Sequence, residues 1–154
     1  DNVMKNTFIF LVCIFFADIT LANNVIFSCN LVNQKQLNIV LNNDVPQYIY
    51  GAPGKEPDLV IPSVPGDKNK VRYGAPPFSK SYGYYYRFIN GNYSYVVFSG
   101  VGQGWNRNDL TVFKGDKTIL HVPCLSPTTW DTDYDPDGKL ATDEMVDSGV
   151  FSSY

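Results

Sequence analysis

The chain is poor in most of what announces an enzyme. It has one histidine, His121, in 154 residues, and that residue falls in a stretch, Thr118 to Val122, that reads as a strand and offers no motif partner. A lone strand histidine is more often structural or surface than a general base. G-x-S-x-G, H-E-x-x-H and the P-loop are all missing, so the signatures of α/β-hydrolase, zincin and phosphate-cradling chemistry are excluded. Gly100-Val101-Gly102-Gln103-Gly104 is glycine-rich, but no helix signal follows it, and it reads as a flexible loop. Carboxylates in the body of the chain are few and scattered, which disfavours paired-acid glycoside hydrolysis. Long helical periodicity, internal repeats and any dividing linker are missing as well.

Long apolar runs are scarce, and the one present lies at the N-terminus. Met4-Lys5-Asn6 leads into Thr7 to Ile19, interrupted only by Asp18, and Thr20-Leu21-Ala22 follow. A short positive region, an apolar stretch and small residues in that order predict a signal peptide over residues 1–22, cleaved before Asn23. The run is shorter than the roughly 20 apolar residues that span a bilayer, so no membrane span is expected in the mature protein. The expected location is periplasmic or secreted. Nucleic acid is not an expected partner for an exported protein of this charge.

Cysteine is also sparse. Of three, Cys13 departs with the leader, which leaves Cys29 and Cys124 as an even pair in an oxidising compartment. No C-x-x-C spacing exists, so the pair reads as a structural staple and not a redox site. A bridge between them closes a loop of about 95 residues and adds on the order of 4–5 kcal/mol in the chain-entropy model.

What the sequence does have is tyrosine, phenylalanine, glycine and proline. That composition, with hydrophobic alternation, predicts short strands joined by tight turns. Strands are expected at Asn24 to Ser28, Gln36 to Leu41, Pro46 to Tyr50, Leu59 to Ile61 and Lys70 to Tyr73. Prolines confine the third and fourth of these to short or edge positions. Asn90-Gly91 suits a type I′ turn, joining two strands over Tyr84 to Phe98. That register pairs Tyr86 with Tyr95 and Tyr84 with Val97, and makes one face almost wholly aromatic. A second hairpin turns at Lys114 to Lys117. The fold class is all-β: an antiparallel sandwich or small barrel of about eight strands, stapled by one disulfide.

Charge divides unevenly. Residues 23–130 carry ten Lys or Arg against six Asp or Glu, a balance of +4. Residues 131–154 carry Lys139 against seven acids, a balance of −6. The expected organisation is a β domain over 23–130 and an acidic C-terminal segment over 131–154. Within that segment, Asp133 to Glu144 has the form of an EF-hand loop. Asp stands at positions 1, 3 and 5, Gly138 at 6, Lys139 at 7, Leu140 at 8 and Glu144 at 12. Calcium takes six to eight hard oxygens, which alternating carboxylates and a terminal glutamate supply. The candidate ligands are Asp133, Asp135, Asp137, Lys139 and Glu144. Pro127 and Pro136 fit poorly with the flanking helices of a true EF-hand, so the plain alternative is a solvated acidic tail.

The stretch from Ser99 to Asn108 concentrates polar contact potential outside the expected strands. Trp and Arg dominate interface hot spots, which makes Ser99, Gln103, Trp105, Asn106 and Arg107 the candidate partner-binding residues. The alternative for Trp105 is packing on its own domain.

Phe27-Ser28-Cys29, followed by Lys35-Gln36-Leu37-Asn38-Ile39-Val40-Leu41, resembles the opening of the small periplasmic inhibitors of C-type lysozyme. Phe113-Lys114-Gly115 through Cys124 is similar to their ending. Ser99-Gly100-Val101-Gly102-Gln103-Gly104-Trp105 resembles their Ser-Gly-rich loop, with Trp105 in place of tyrosine. Pro46 to Ser81 and the acidic segment have no counterpart there. In size, leader and β-rich character the chain is also similar to exported immunity proteins that neutralise wall-degrading toxins of type VI secretion. These resemblances imply a non-enzymatic periplasmic protein that binds and blocks a peptidoglycan-active enzyme or toxin. The competing expectation is a calcium- or glycan-binding exported module.

Overall fold

Alternating strands and glycine turns build two stacked sheets. The computed structural model describes residues 24–76, 80–131 and 133–144; the expected leader and its cleavage point lie outside them. Eleven strands follow in order: β1 (Val25–Asn30), β2 (Gln36–Asn42), β3 (Val45–Gly51), β4 (Leu59–Ile61), β5 (Val71–Gly74), β6 (Ser81–Asn90), β7 (Tyr93–Gly102), β8 (Trp105–Lys114), β9 (Lys117–Pro123), β10 (Leu125–Trp130) and β11 (Ala141–Thr142). One sheet has the order β10-β1-β2-β3-β4 and the other β11-β5-β6-β7-β8-β9. All pairings are antiparallel except that of β11 with β5. The arrangement is the expected sandwich, with β10 and β11 added to the strands foreseen.

Several local expectations are corrected. The β6–β7 turn is Gly91-Asn92 and not Asn90-Gly91, because Asn90 pairs with Tyr93 and Phe88 with Tyr95. Only Gly91 takes a positive φ, +60°, which suits a type II′ turn with glycine first. The register moves by two residues, so every side chain keeps its face. β3 is interior, not an edge. It tolerates Pro46 because β4 reaches only from Tyr48 to Tyr50 along it, so no ladder bond is lost there. The presumed loop from Gly100 to Asn108 is strand except for a tight turn at Gln103-Gly104. β7 runs to Gly102, and β8 starts at Trp105.

The core lies between the sheets. Phe27, Leu37, Ile39, Val45, Tyr48 and Ile61 from one sheet meet Val71, Tyr86, Phe88, Val97, Leu110 and Val112 from the other. Tyr48 and Phe88 bridge the layers with ring centroids 5.4 Å apart. Burying each such side chain contributes about 1.5–3 kcal/mol. Cys29 on β1 is bonded to Cys124, which lies between β9 and β10, with Cα atoms 5.5 Å apart. The staple therefore sits where the chain crosses from the second sheet back to the first.

The described part of the acidic segment, residues 133–144, is built into this body. Leu140 joins the core, and β11 adds to the edge of β5. Asp143 is 1% exposed. Its Oδ2 accepts from Arg87 Nε and from the Tyr85 hydroxyl, both at 2.7 Å. Burying a carboxylate is costly unless it is paired, and this one is held by a guanidinium that is itself 3% exposed.

Candidate recognition groove

Strand length positions the site. β6, β7 and β8 each have ten residues, about 34 Å at 3.4 Å per residue. The longest strands of the facing sheet have seven, about 24 Å by the same rise. The second sheet therefore overhangs the first, and its inner face runs on beyond the core.

Register shows what the overhang carries. Moving outward, the buried row Tyr86–Val97–Leu110 gives way to Tyr84–Ser99–Asn108 and then to Tyr82–Val101–Asn106. Period-two alternation keeps all three rows on one face. The core rows are closed by the opposite sheet, whereas Tyr84 is 50% exposed and Tyr82 75%. Across from the overhang stand Thr128 and Trp130 of β10. They bound an open cavity of about 430 Å³ with the two outer rows. Trp130 is fixed from behind by the edge of Phe27, centroids 5.3 Å apart, and stacks near-parallel to Tyr86 at 5.9 Å. Ser99 Oγ donates to Asn108 Oδ1 at 2.6 Å, which orients the Asn108 amide.

Tyr84 and Trp130 also belong to a second cavity, of about 310 Å³, so the two are adjoining halves of one groove. This half is lined by Tyr73, Tyr86 and Tyr134 together with the carboxylates of Asp131 and Asp135. Burial pushes the Tyr134 phenol up to about 12, with the charges of Asp44 and Asp135 adding to the shift. Tyr86 is raised above its ordinary value by burial first, then by Tyr134, Asp131 and Asp135. Both phenols are therefore neutral at physiological pH. The Tyr134 hydroxyl donates to the Asp44 carbonyl at 2.9 Å.

Alternation splits the residues that sequence grouped as partner-binding. Ser99 and Asn106 line the groove. Gln103 sits in the exposed β7–β8 turn. Trp105 and Arg107 point to the opposite face of the second sheet. There Trp105 packs against the cluster of Tyr85, Val96, Phe98 and Phe113. Its indole lies so close over Gly102 that a Cβ there would come within 2.3 Å of Nε1. The Arg107 guanidinium stacks on Phe98 at 4.4 Å and is ion-paired to buried Asp109. His121 Nε2 is 3.3 Å from the same carboxylate. Asn108, grouped from sequence with Trp105, Asn106 and Arg107 in an expected polar loop, also lines the groove. Tyr82, Tyr84, Trp130 and Asp131 were not singled out from sequence as site residues. Strand alternation carried outward past the Tyr86–Val97 row would have reached Tyr84 and Tyr82.

The EF-hand-like stretch forms a compact turn. Asp133 N–H donates to Asp131 Oδ1, and Asp137 N–H to Asp135 Oδ1, each at 2.9 Å. Gly138 has φ +71°, and Leu140 is buried, as positions 6 and 8 require. Asp133, Asp135, Asp137 and Glu144 are exposed. Lys139 Nζ lies 4.9 Å from the Tyr134 ring centroid and 3.8 Å from Asp44 Oδ2. Among the described residues, no three His, Cys, Asp or Glu side chains gather as a metal site would need. Among the same residues, no helix is long and apolar enough to cross a membrane.

No protein-family model matches the chain, and neither a curated protein nor a solved structure is significantly similar to it.

Proposed function

We propose that this is an exported, non-catalytic protein that binds and blocks a peptidoglycan-degrading enzyme, acting as the immunity partner of a wall-active toxin or in the manner of a lysozyme inhibitor. The observation that carries this reading is the overhang, where a rigid two-sheet scaffold holds Tyr82, Tyr84 and Trp130 open to solvent beside the exposed carboxylates of Asp131 and Asp135. Large aromatic side chains with few rotatable bonds give contact area at low entropic cost and dominate hot spots. A carboxylate at the rim speeds encounter with a cationic enzyme. The Cys29–Cys124 bridge suits an oxidising compartment such as the periplasm.

A specific observation favours a second reading. Asn106, Asn108 and Ser99 stand beside Tyr82, Tyr84 and Trp130, and amides next to aromatic faces also suit a sugar chain. The glycan itself would then be the ligand.

One experiment separates the two. Purified mature protein is mixed with peptidoglycan sacculi and a panel of muramidase, amidase and endopeptidase, and clearing is followed by turbidity. The expected result is that one enzyme class is retarded by the wild type and not by Tyr84→Ala with Trp130→Ala. Sedimentation of the protein with sacculi alone, with every enzyme unaffected, would replace the inhibitor reading with the glycan one.

A further inference from the structure

We infer that the acidic half of the groove receives one guanidinium group, the end of an arginine side chain presented by the partner. This rests on the reading of the groove as the recognition surface and names the chemistry it selects.

Four observations converge. The cavity of about 310 Å³ is walled by aromatic rings, with Trp130 and Tyr86 held near-parallel to one another. Aromatic faces attract cations within about 6 Å of the ring centroid, and a flat guanidinium stacks on them better than an ammonium does. The charged side chains in the cavity lining are Asp131 and Asp135, both carboxylates. Among the described residues neither is ion-paired to a lysine or arginine, since Lys139, the nearby cation, is directed to Asp44. Finally, Arg107 over Phe98 shows a guanidinium seated on a ring on the opposite face of the same sheet. In the acidic half Lys139 lies 4.9 Å from the Tyr134 ring centroid but is not part of the cavity lining, whose charged side chains are both carboxylates.

A neutral sugar can stack on the rings and donate hydroxyl hydrogen bonds to the carboxylates, but it brings no charge to pair with them. A divalent metal gains from the carboxylates but not from the rings. A guanidinium uses both, with stacking on one side and a forked pair of charge-assisted hydrogen bonds on the other.

The test uses the whole mature protein and three small probes: N-acetyl-arginine amide, N-acetyl-lysine amide and N-acetyl-glutamine amide. The chain has two tryptophans, so the indole N–H region of an NMR spectrum shows two signals. Trp105→Phe assigns them, or Trp130→Phe if the first variant does not fold. The arginine probe is expected to shift the Trp130 signal saturably in the millimolar range. The lysine probe should act more weakly, and the glutamine probe should leave the signal in place. Asp131→Asn with Asp135→Asn should weaken the arginine response by about tenfold or more. Equal shifts from arginine and glutamine probes, or an unchanged response in the double variant, would overturn the inference. Because no partner enzyme is present, failure here leaves the clearing assay standing. Loss of inhibition with arginine binding intact would sink only the proposed function.

Discussion

Two stretches of one sheet face, a few residues apart, behave in opposite ways. The rows Phe88–Tyr95–Val112 and Tyr86–Val97–Leu110 are packed into the core. The rows Tyr84–Ser99–Asn108 and Tyr82–Val101–Asn106 continue the same strands on the same face, yet open to water. Backbone geometry does not distinguish them. What differs is whether the opposing sheet is long enough to lie across, and the residues follow that difference from Leu and Val to Asn, Ser and exposed Tyr. One end of the face is under selection by packing, and the other is free to be selected by a partner.

The widest blow to that comparison would come from the staple, which supports both ends at once. Cys29→Ser with Cys124→Ser should cost on the order of 4–5 kcal/mol in denaturant unfolding. Groove contacts should survive wherever the variant is still folded; a loss near zero would mean the reduced chain is already constrained. Phe88→Ala strikes the packed end alone, and a cost of about 4 kcal/mol is expected from lost transfer energy and cavity. Asp143→Ala strips the buried Arg87 of its carboxylate and should cost about 3 kcal/mol, the lower end for breaking a buried pair. Asp143→Asn should restore little, since an amide carries no charge for the guanidinium.

Calcium binding at the EF-hand-like stretch, if it occurs, would have a smaller effect. A lone loop binding at 10⁻⁴–10⁻³ M would gain about 0.4–1.4 kcal/mol from 1 mM Ca²⁺. Asp133→Ala with Glu144→Ala should erase the accompanying rise in melting temperature, and superimposable curves with calcium and chelator would remove the ion from the account. The least effect on stability belongs to the overhang. Tyr84→Ala and Asn108→Ala are expected to shift unfolding by no more than about 0.5 kcal/mol, as surface changes do, while abolishing inhibition. A stability loss comparable to that of Phe88→Ala would erase the distinction between the two ends.

Much of the scaffold is legible in the sequence, for identifiable reasons. Alternation and turn residues mark the existence of β1 to β9, although the outer ends of β7 and β8 read as loop, and once Cys13 is assigned to the expected leader the two remaining cysteines leave a single intrachain pairing. β10 is hidden because Pro127 and paired threonines look like a connection, and its pairing with β1 is a long-range contact that no local pattern carries. The groove is harder still. Trp105 and Asn106 are neighbours in sequence but lie on opposite faces once residues 105–108 are strand, so a cluster in sequence becomes two surfaces in space. The overhang depends on the relative lengths of two sheets, which depends in turn on where β10 and β3 stop. Tyr84 was visible as part of an aromatic face; that this face outruns its cover was not.

The pairing of Phe27 with Trp130 also has a bearing on time. A chain synthesised N-terminus first presents β1 early and β10 almost last. Until residues 125–130 arrive, one edge of β1 is bare and the Cys29 thiol lacks its partner Cys124. Non-local closures of this kind make a slow folder, and a bare strand edge invites pairing with another molecule. Late closure thus makes the interval between emergence of Cys29 and emergence of Cys124 the vulnerable stage in this protein's life. A chain cut short before Cys124 would remain in that stage permanently, as a sticky half-sandwich with a reactive thiol.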